Sequence, residues 1–250
     1  MHSALPLHRK LAIAGWLHTS AMTRLVLLPG MDGTGELFDP FIAALHGIIP
    51  TSVVRYPAHL ARYESLTAWA SATLPTDEPY VLLGESFSGP IALTLAAERP
   101  TGLSGLILCA SFARCPSVWL TRMRPALGWL PPLPPPRALL RHLLCNGDQA
   151  SPETFAALQS AVSRSTPRVL LERLREVASV DVLATVNRIE VPLLYLHARQ
   201  DRLVSIQSFQ EIRRARPSTQ LAEFDAPHLL LQTAPEATSF AVREFLDAQR

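Results

Sequence analysis

The chain of 250 residues carries 23 Lys and Arg against 21 Asp and Glu, a formal net charge of +2, and 48% of it is hydrophobic. That length suits one large domain burying about 75% of its unfolded surface, and the balanced charge gives no field for nucleic acid or an anionic membrane. No run of about 18 apolar residues offers a transmembrane helix. Cys109, Cys115 and Cys145 are odd in number and lack C-x-x-C or Cys/His spacing, so they read as unpaired thiols of a reducing compartment, and the expected location is the cytoplasm.

Residues 1–23 read as a leader. "HRKLAIAGWLHTSA" has a basic start, a short apolar centre from Leu11 to Leu17 and small residues at Ser20-Ala21, the outline of a weak export signal. The favoured reading is a loosely ordered leader or a small edge element within Leu11–Thr19, with export as the alternative and Met22 as an alternative start.

From Arg24 strands and helices alternate. "RLVLLPG" (24–30) is a continuous apolar run ended by Pro-Gly, as expected of a strand buried on both faces. "ELFDPFIAAL" (36–45) predicts a helix, and "TSVVRYP" (51–57) a strand stopped by Pro57. "SLTAWASATL" (65–74) predicts a helix capped by Ser65. A strand over 80–84, a helix over 87–99 and a strand over 103–111 follow. Beyond residue 190 come strands at 191–198 and 219–225 and helices at 206–215 and 235–249. The alternation predicts an α/β fold, a mostly parallel sheet of about six strands with helices on both faces.

Residues 114–185 break this rhythm with no clear strand. A proline-rich stretch, "RCPSVWLTRMRPALGWLPPLPPPRALL", precedes three helical patterns. It reads as a helical cap inserted into a core formed by 24–113 and 186–250. "LPPLPPPR" reads as a rigid connector in a packed cap, with a polyproline ligand as the alternative.

Where the 80–84 strand hands over to a helix stands "GESFSGP". A nucleophile on a sharp strand-to-helix turn needs small neighbours two residues to either side, because side chains there collide with backbone. Gly84 and Ser88 supply them around Ser86, and Gly89 suits close packing of the helix. Pro90 falls in the first helical turn, where its missing N–H is no loss. The helix start aims its dipole and the Phe87 N–H at a developing oxyanion. The competing reading of Ser86 is a helix cap.

Serine needs a base. Among the histidines, His228 follows the last strand, where strand ends line the crevice of a parallel sheet. His197, inside a strand pattern, reads as a core residue. Asp201 follows the preceding strand and gives the order Ser86, Asp201, His228, with Asp225 and Asp181 as rival acids. The loop "PGMDGTGELF" after the first strand offers the Met31 N–H as second oxyanion donor. Its Gly30, Gly33 and Gly35, with Arg55 on the next strand, also permit a nucleotide-binding reading, but the glycines are not in G-x-G-x-x-G order.

With these residues in place the chain, from about Arg24 to its end, resembles α/β-hydrolase-fold serine hydrolases. "LVLLPGMDGTGELF" and "VLLGESFSGPIALTLA" are similar to the branch with phytyl ester synthases and related acyltransferases, and to small bacterial esterases. "VPLLYLHARQDRLVS" and "PHLLLQTAPEATSFAVREFL" follow in the superfamily's order. The resemblance implies an acyl-serine mechanism with Ser86 as nucleophile, His228 as base and Asp201 as orienter, and neither metal nor organic cofactor. Pro29-Gly30 replaces the usual His-Gly, Ser88 replaces the elbow's last glycine, and two antiparallel opening strands are not evident.

The expected substrate is a small carboxylic ester or thioester with a hydrophobic part, met by Trp119, Met123 and Trp129; the same side chains also suit a cap core. Acyl transfer to an alcohol, perhydrolysis, C–C hydrolysis and a non-catalytic binding protein are the alternatives. Neither a nucleic-acid partner nor stable membrane insertion is expected. Glu85, beside the nucleophile, is expected to hydrogen-bond a neighbouring loop.

Overall fold

Strands at Arg24–Leu28 (β1), Thr51–Val53 (β2), Tyr80–Glu85 (β3), Leu103–Cys109 (β4), Leu193–Ala198 (β5) and Gln220–Phe224 (β6) form one sheet. Its order is β2-β1-β3-β4-β5-β6, and each neighbouring pair is parallel. These elements come from a computed structural model that describes residues 23–249. The leader, its export signal and the edge element expected within Leu11–Thr19 lie outside the described residues.

Side chains of a strand alternate between faces, so a sheet covered on both faces needs apolar residues at every position. In β1, Val26 and Leu28 enter one core while Leu25 and Leu27 enter the other. Leu82 and Val81 of β3, and Leu108 and Ile107 of β4, divide the same way. One face is covered by Tyr63–Ser71 (α2), Gly89–Ala97 (α3) and, later, Ile206–Ala215 (α8). The other is covered by Asp39–Ala44 (α1), Leu230–Thr233 (α9) and Pro235–Asp247 (α10).

The chain passes from β1 outward to β2, then returns past β1 to β3 and runs on to β6. The loops after β1 and β3 therefore diverge to opposite sides. Such a switch point leaves a crevice at the carboxyl ends of the two strands, where open α/β sheets bind ligands.

Between β4 and β5 lie Val118–Leu127 (α4), Arg137–Leu144 (α5), Pro152–Ser163 (α6) and Pro167–Ser179 (α7). The fourth helix, α4, was hidden by Pro125 within its last turn; Ser117 caps its start by accepting from the Leu120 N–H at 3.2 Å. A small third core joins the insertion to the rest. It contains Leu37, Cys145, Phe155, Leu158 and Leu229, the last being the residue after His228. No helix among the described residues is long and apolar enough to cross a membrane.

Two local expectations are corrected. Ser65 does not cap α2, which begins at Tyr63 after an Arg62 that makes no side-chain cap bond. The exposed Tyr63 N–H instead donates to Glu176 Oε2 of α7 at 2.8 Å, so a distant carboxylate supplies the acceptor and suits the positive end of the helix dipole. Nor is the stretch around Trp119 and Trp129 a packed core. Those side chains are 68% and 90% exposed, while Leu127 of α4 is buried. The proline stretch 131–136 is an exposed connector between α4 and α5.

Glycine is required where β3 meets α3. A Cβ on Gly84 would lie 2.8 Å from Ala92 Cβ and 2.9 Å from the Ser88 carbonyl oxygen. One on Gly89 would lie 1.8 Å from Ser111 Oγ. The helix is thus seated against the chain leaving β4. Gly89→Ala is expected to lower Tm by about 2–12 °C, from an overpacking cost of about 1–3 kcal/mol in a domain of this size. An unchanged Tm in a thermal melt would show that Ser111 moves aside freely.

Candidate active site

Ser86 sits at the top of β3 with φ 48, left-handed backbone that a side-chain-bearing residue adopts only under constraint. The turn lifts its hydroxyl out of the sheet, and the residue is half-buried. Ser86 Oγ lies 2.8 Å from His228 Nε2. His228 Nδ1 lies 2.7 Å from Asp201 Oδ2. The other carboxylate oxygen of Asp201 accepts the N–H groups of Leu203 at 2.8 Å and Val204 at 2.9 Å. These bonds fix the acid, which leaves the ring Nδ1–H as donor and Nε2 as acceptor of the serine proton.

The His228 side chain is 4% exposed and that of Asp201 1%. Burial by itself lowers the imidazole pKa, but the charge and hydrogen bond of Asp201, helped by Glu85, outweigh it and hold the ring above its ordinary range. The structure therefore brings Ser86, Asp201 and His228 together. Asp225 is turned elsewhere, accepting from Gln200 Nε2 at 2.5 Å. Asp181 lies at the end of the insertion, accepting from the Leu183 N–H at 3.1 Å. His197 is buried in β5, and burial lowers its pKa.

The loop after β1 is held group by group. Ser88 Oγ donates to the Pro29 carbonyl and meets Tyr56 Oη at 2.7 Å. The residue that departs from glycine in the elbow thus ties that elbow to this loop. The Gly30 carbonyl accepts from the Gly33 N–H at 3.0 Å, and the Gly33 carbonyl from the Tyr56 N–H at 2.9 Å. The Met31 carbonyl accepts from Arg173 Nη1 at 2.6 Å, and the Asp32 carbonyl from Ser165 Oγ at 2.8 Å. Asp32 Oδ1 accepts the Thr34 N–H at 2.9 Å. The Met31 N–H has no protein acceptor among the described residues. The Phe87 N–H lies in the first turn of a 3-10 helix, Ser86–Ser88, where an amide has no partner within its helix.

Phe87 itself is buried, stacked on Tyr63 with ring centres 4.7 Å apart. Trp119, Met123 and Trp129 lie on the outside of the insertion, 68%, 37% and 90% exposed. Among the described residues no cluster of three or more His, Cys, Asp or Glu is placed to hold a metal ion.

Arg173, absent from the sequence reading, is the largest fully buried side chain. Its Nη2 donates to the Leu60 carbonyl at 2.8 Å while Nη1 holds Met31. The guanidinium carbon lies 5.9 Å from the ring centres of both Tyr56 and Phe87. A signal was present. Val169, Arg173 and Val177 recur at i, i+4 and i+8 on the buried stripe of α7, so the arginine interrupts an apolar face.

Residues 63–229 match the protein family described as serine aminopeptidase, S33. Over 245 residues the chain is 28% identical to a pimeloyl-(acyl-carrier protein) methyl ester esterase of Vibrio campbellii, covering 88% of this chain and 93% of that protein. It is 24% identical to the enzyme of the same name from Neisseria meningitidis, covering 91% and 94%. Similar solved structures include a thermophilic esterase from Thermogutta terrifontis, with TM-score 0.75, 20% identity and 90% of each chain covered. An enol-lactonase from Burkholderia xenovorans gives TM-score 0.74 at 18% identity, covering 90% and 91%. The chain belongs to the serine aminopeptidase S33 family and is a hydrolase of the α/β-hydrolase fold.

Arg173→Met would leave the Leu60 and Met31 carbonyls buried without donors, at about 1–3 kcal/mol each, so Tm is expected to fall by about 5–20 °C. Because one of those peptides carries the Met31 region, kcat on a p-nitrophenyl ester is expected to fall about tenfold or more, with KM changed less. A lowered Tm with wild-type kcat would make the clamp purely structural.

Proposed function

We propose that the protein hydrolyses a carboxylic ester or thioester through an acyl-serine intermediate. The observation that carries this reading is the hydrogen-bonded chain from Ser86 through His228 to Asp201, 2.8 Å and 2.7 Å, on a half-exposed residue with φ 48. His228 takes the hydroxyl proton as Ser86 Oγ bonds to the acyl carbon. The carbonyl oxygen becomes the oxyanion and rests on the N–H groups of Met31 and Phe87. His228 then gives its proton to the leaving alcohol or thiol. Water, deprotonated by the same ring, attacks the acyl-serine and releases the acid. Asp201 keeps the ring oriented and balances the imidazolium charge without itself taking a proton.

The insertion 114–185 is proposed as a cap that selects the substrate. Trp119, Met123 and Trp129, exposed along it, suit a hydrophobic acyl or alcohol part. Charge favours a second reading of what carries the acyl group. The insertion holds nine arginines against five carboxylates, although the whole chain is only +2. That excess suits a substrate borne on an acidic carrier protein, consistent with the names of the curated relatives. The unpaired thiols suit a reducing compartment, and we place the enzyme in the cytoplasm.

A fluorophosphonate probe is expected to label Ser86, with Ser86→Ala abolishing both labelling and ester turnover. Asp201→Asn is expected to lower kcat about 10³–10⁴-fold, as loss of the orienting acid does elsewhere, while Asp225→Asn does not. Labelling of another residue would sink the mechanism. The reverse result for the two aspartates would reassign the acid.

A further inference from the structure

Glu85 stands at the end of β3, one residue before Ser86, and is 5% exposed. Its Oε1 accepts from Gln232 Nε2 at 2.9 Å. Gln232 lies on α9, the short helix that follows His228. The backbone N–H of Gly30, the residue before Met31, favours the charged form of the carboxylate. A Cβ placed on Gly30 would lie 3.7 Å from Glu85 Oε2, so the acid rests against the loop backbone. One side chain thereby joins the elbow, the loop carrying Met31 and the turn carrying His228.

We propose that Glu85 is a positioning residue which holds these segments in register and, by gaining or losing its proton, sets the pH at which the site becomes competent. The proposal rests on Ser86 being the nucleophile. The mechanism above leaves Glu85 unused: it faces the scaffold of the site rather than the reacting oxygen, and its contacts lie on the neighbouring segments.

Its surroundings make the ionisation sensitive. Burial pushes Glu85 up to about 7; the Gln232 bond opposes this, the Asp32 charge adds to it, and His228 and the Gly30 N–H oppose it. Cys109 faces it from β4, and burial above all, then the Glu85 charge, raises that thiol. In return the Glu85 charge raises His228. The charge of each group therefore favours the charged form of the other.

A buried acid of raised pKa contributes stability below its unfolded value near 4.5, and that contribution is lost as pH climbs through about 7. Glutamine is neutral at every pH. Gln232 Oε1 is buried without a partner, so by turning its amide Gln232 can accept from a new amide at position 85. Glu85→Gln therefore keeps the contacts and removes the titration.

The test measures kcat, KM and Tm across pH 5–9 for wild type, Glu85→Gln, Glu85→Ala and Ser86→Ala. Glu85→Gln is expected to move the acid limb of kcat/KM to lower pH, because His228 loses a neighbouring negative charge. Its Tm relative to wild type should rise with pH. Glu85→Ala is expected to lose about tenfold or more in kcat with KM changed less than about threefold, and Glu85→Gln to restore part of that loss. A Glu85→Gln limb superimposed on wild type, or a folded Glu85→Ala enzyme of wild-type kcat, would overturn the proposal while leaving Ser86 in place. An active Ser86→Ala enzyme would overturn both.

Discussion

The left-handed turn at Ser86 is the constraint on which the site depends. Such backbone costs about 1–3 kcal/mol outside glycine and persists only where the surroundings over-determine it. Here the surroundings come from the sheet. Ser111 Oγ donates to the Ser86 carbonyl at 2.5 Å, and the Ser111 carbonyl accepts from Tyr195 Oη at 2.5 Å. Tyr195 is fully buried in β5. The chain leaving β4 is bent by Ala110, also left-handed with φ 46, so that Ser111 faces the elbow. Strain at one half-buried serine is thus held by the interior of two neighbouring strands. The glycines at 84 and 89 are needed because this arrangement leaves no room for a side chain.

Once the elbow is fixed, the loop after β1 must meet it across the switch point, and a loop of that kind has little secondary structure to hold it. Its carbonyls are instead taken up by side chains from elsewhere: Ser88 from the elbow, Arg173 and Ser165 from the insertion. The insertion is therefore part of the frame that holds this loop. Its two halves differ in this respect. Helices α6 and α7 supply Arg173, the Glu176 cap on α2 and the core around Phe155. The stretch from Val118 to Leu133 presents exposed Val118, Trp119, Trp129, Leu130 and Leu133. A buried guanidinium bonded to backbone carbonyls ties down one half. The other half instead leaves apolar side chains exposed.

How much of this could be read in the sequence follows from which interactions are local. The strands showed because a parallel sheet covered on both faces needs unbroken apolar runs, and β1, β3, β4 and β5 have them. Ser86, Asp201 and His228 could be nominated because each follows a strand, and the fold orders strand ends in space. Ser88 was legible as a small residue, whereas its bonds to Pro29 and Tyr56 were not, since nothing local specifies them. Ser65 misled for the same reason in reverse: a local capping signal lost to Glu176, more than a hundred residues away. Trp119 and Trp129 suited either a substrate pocket or a cap core, and exposure excludes the core reading.

The carboxylates near His228 show how one fold separates roles by counting donors. Asp201 accepts the ring Nδ1–H and two backbone N–H groups. Glu85 accepts one side-chain amide, from Gln232, and burial carries it up to about 7. Both pull the imidazole pKa upward, but only Asp201 does so by direct contact. The difference arises from position in the chain. Asp201 lies in a turn whose following residues, Leu203 and Val204, present their amides to its side chain. Glu85 sits on a strand whose own amides are committed to the sheet, so its partners must come from other segments. That dependence is what makes Glu85 a joint between them.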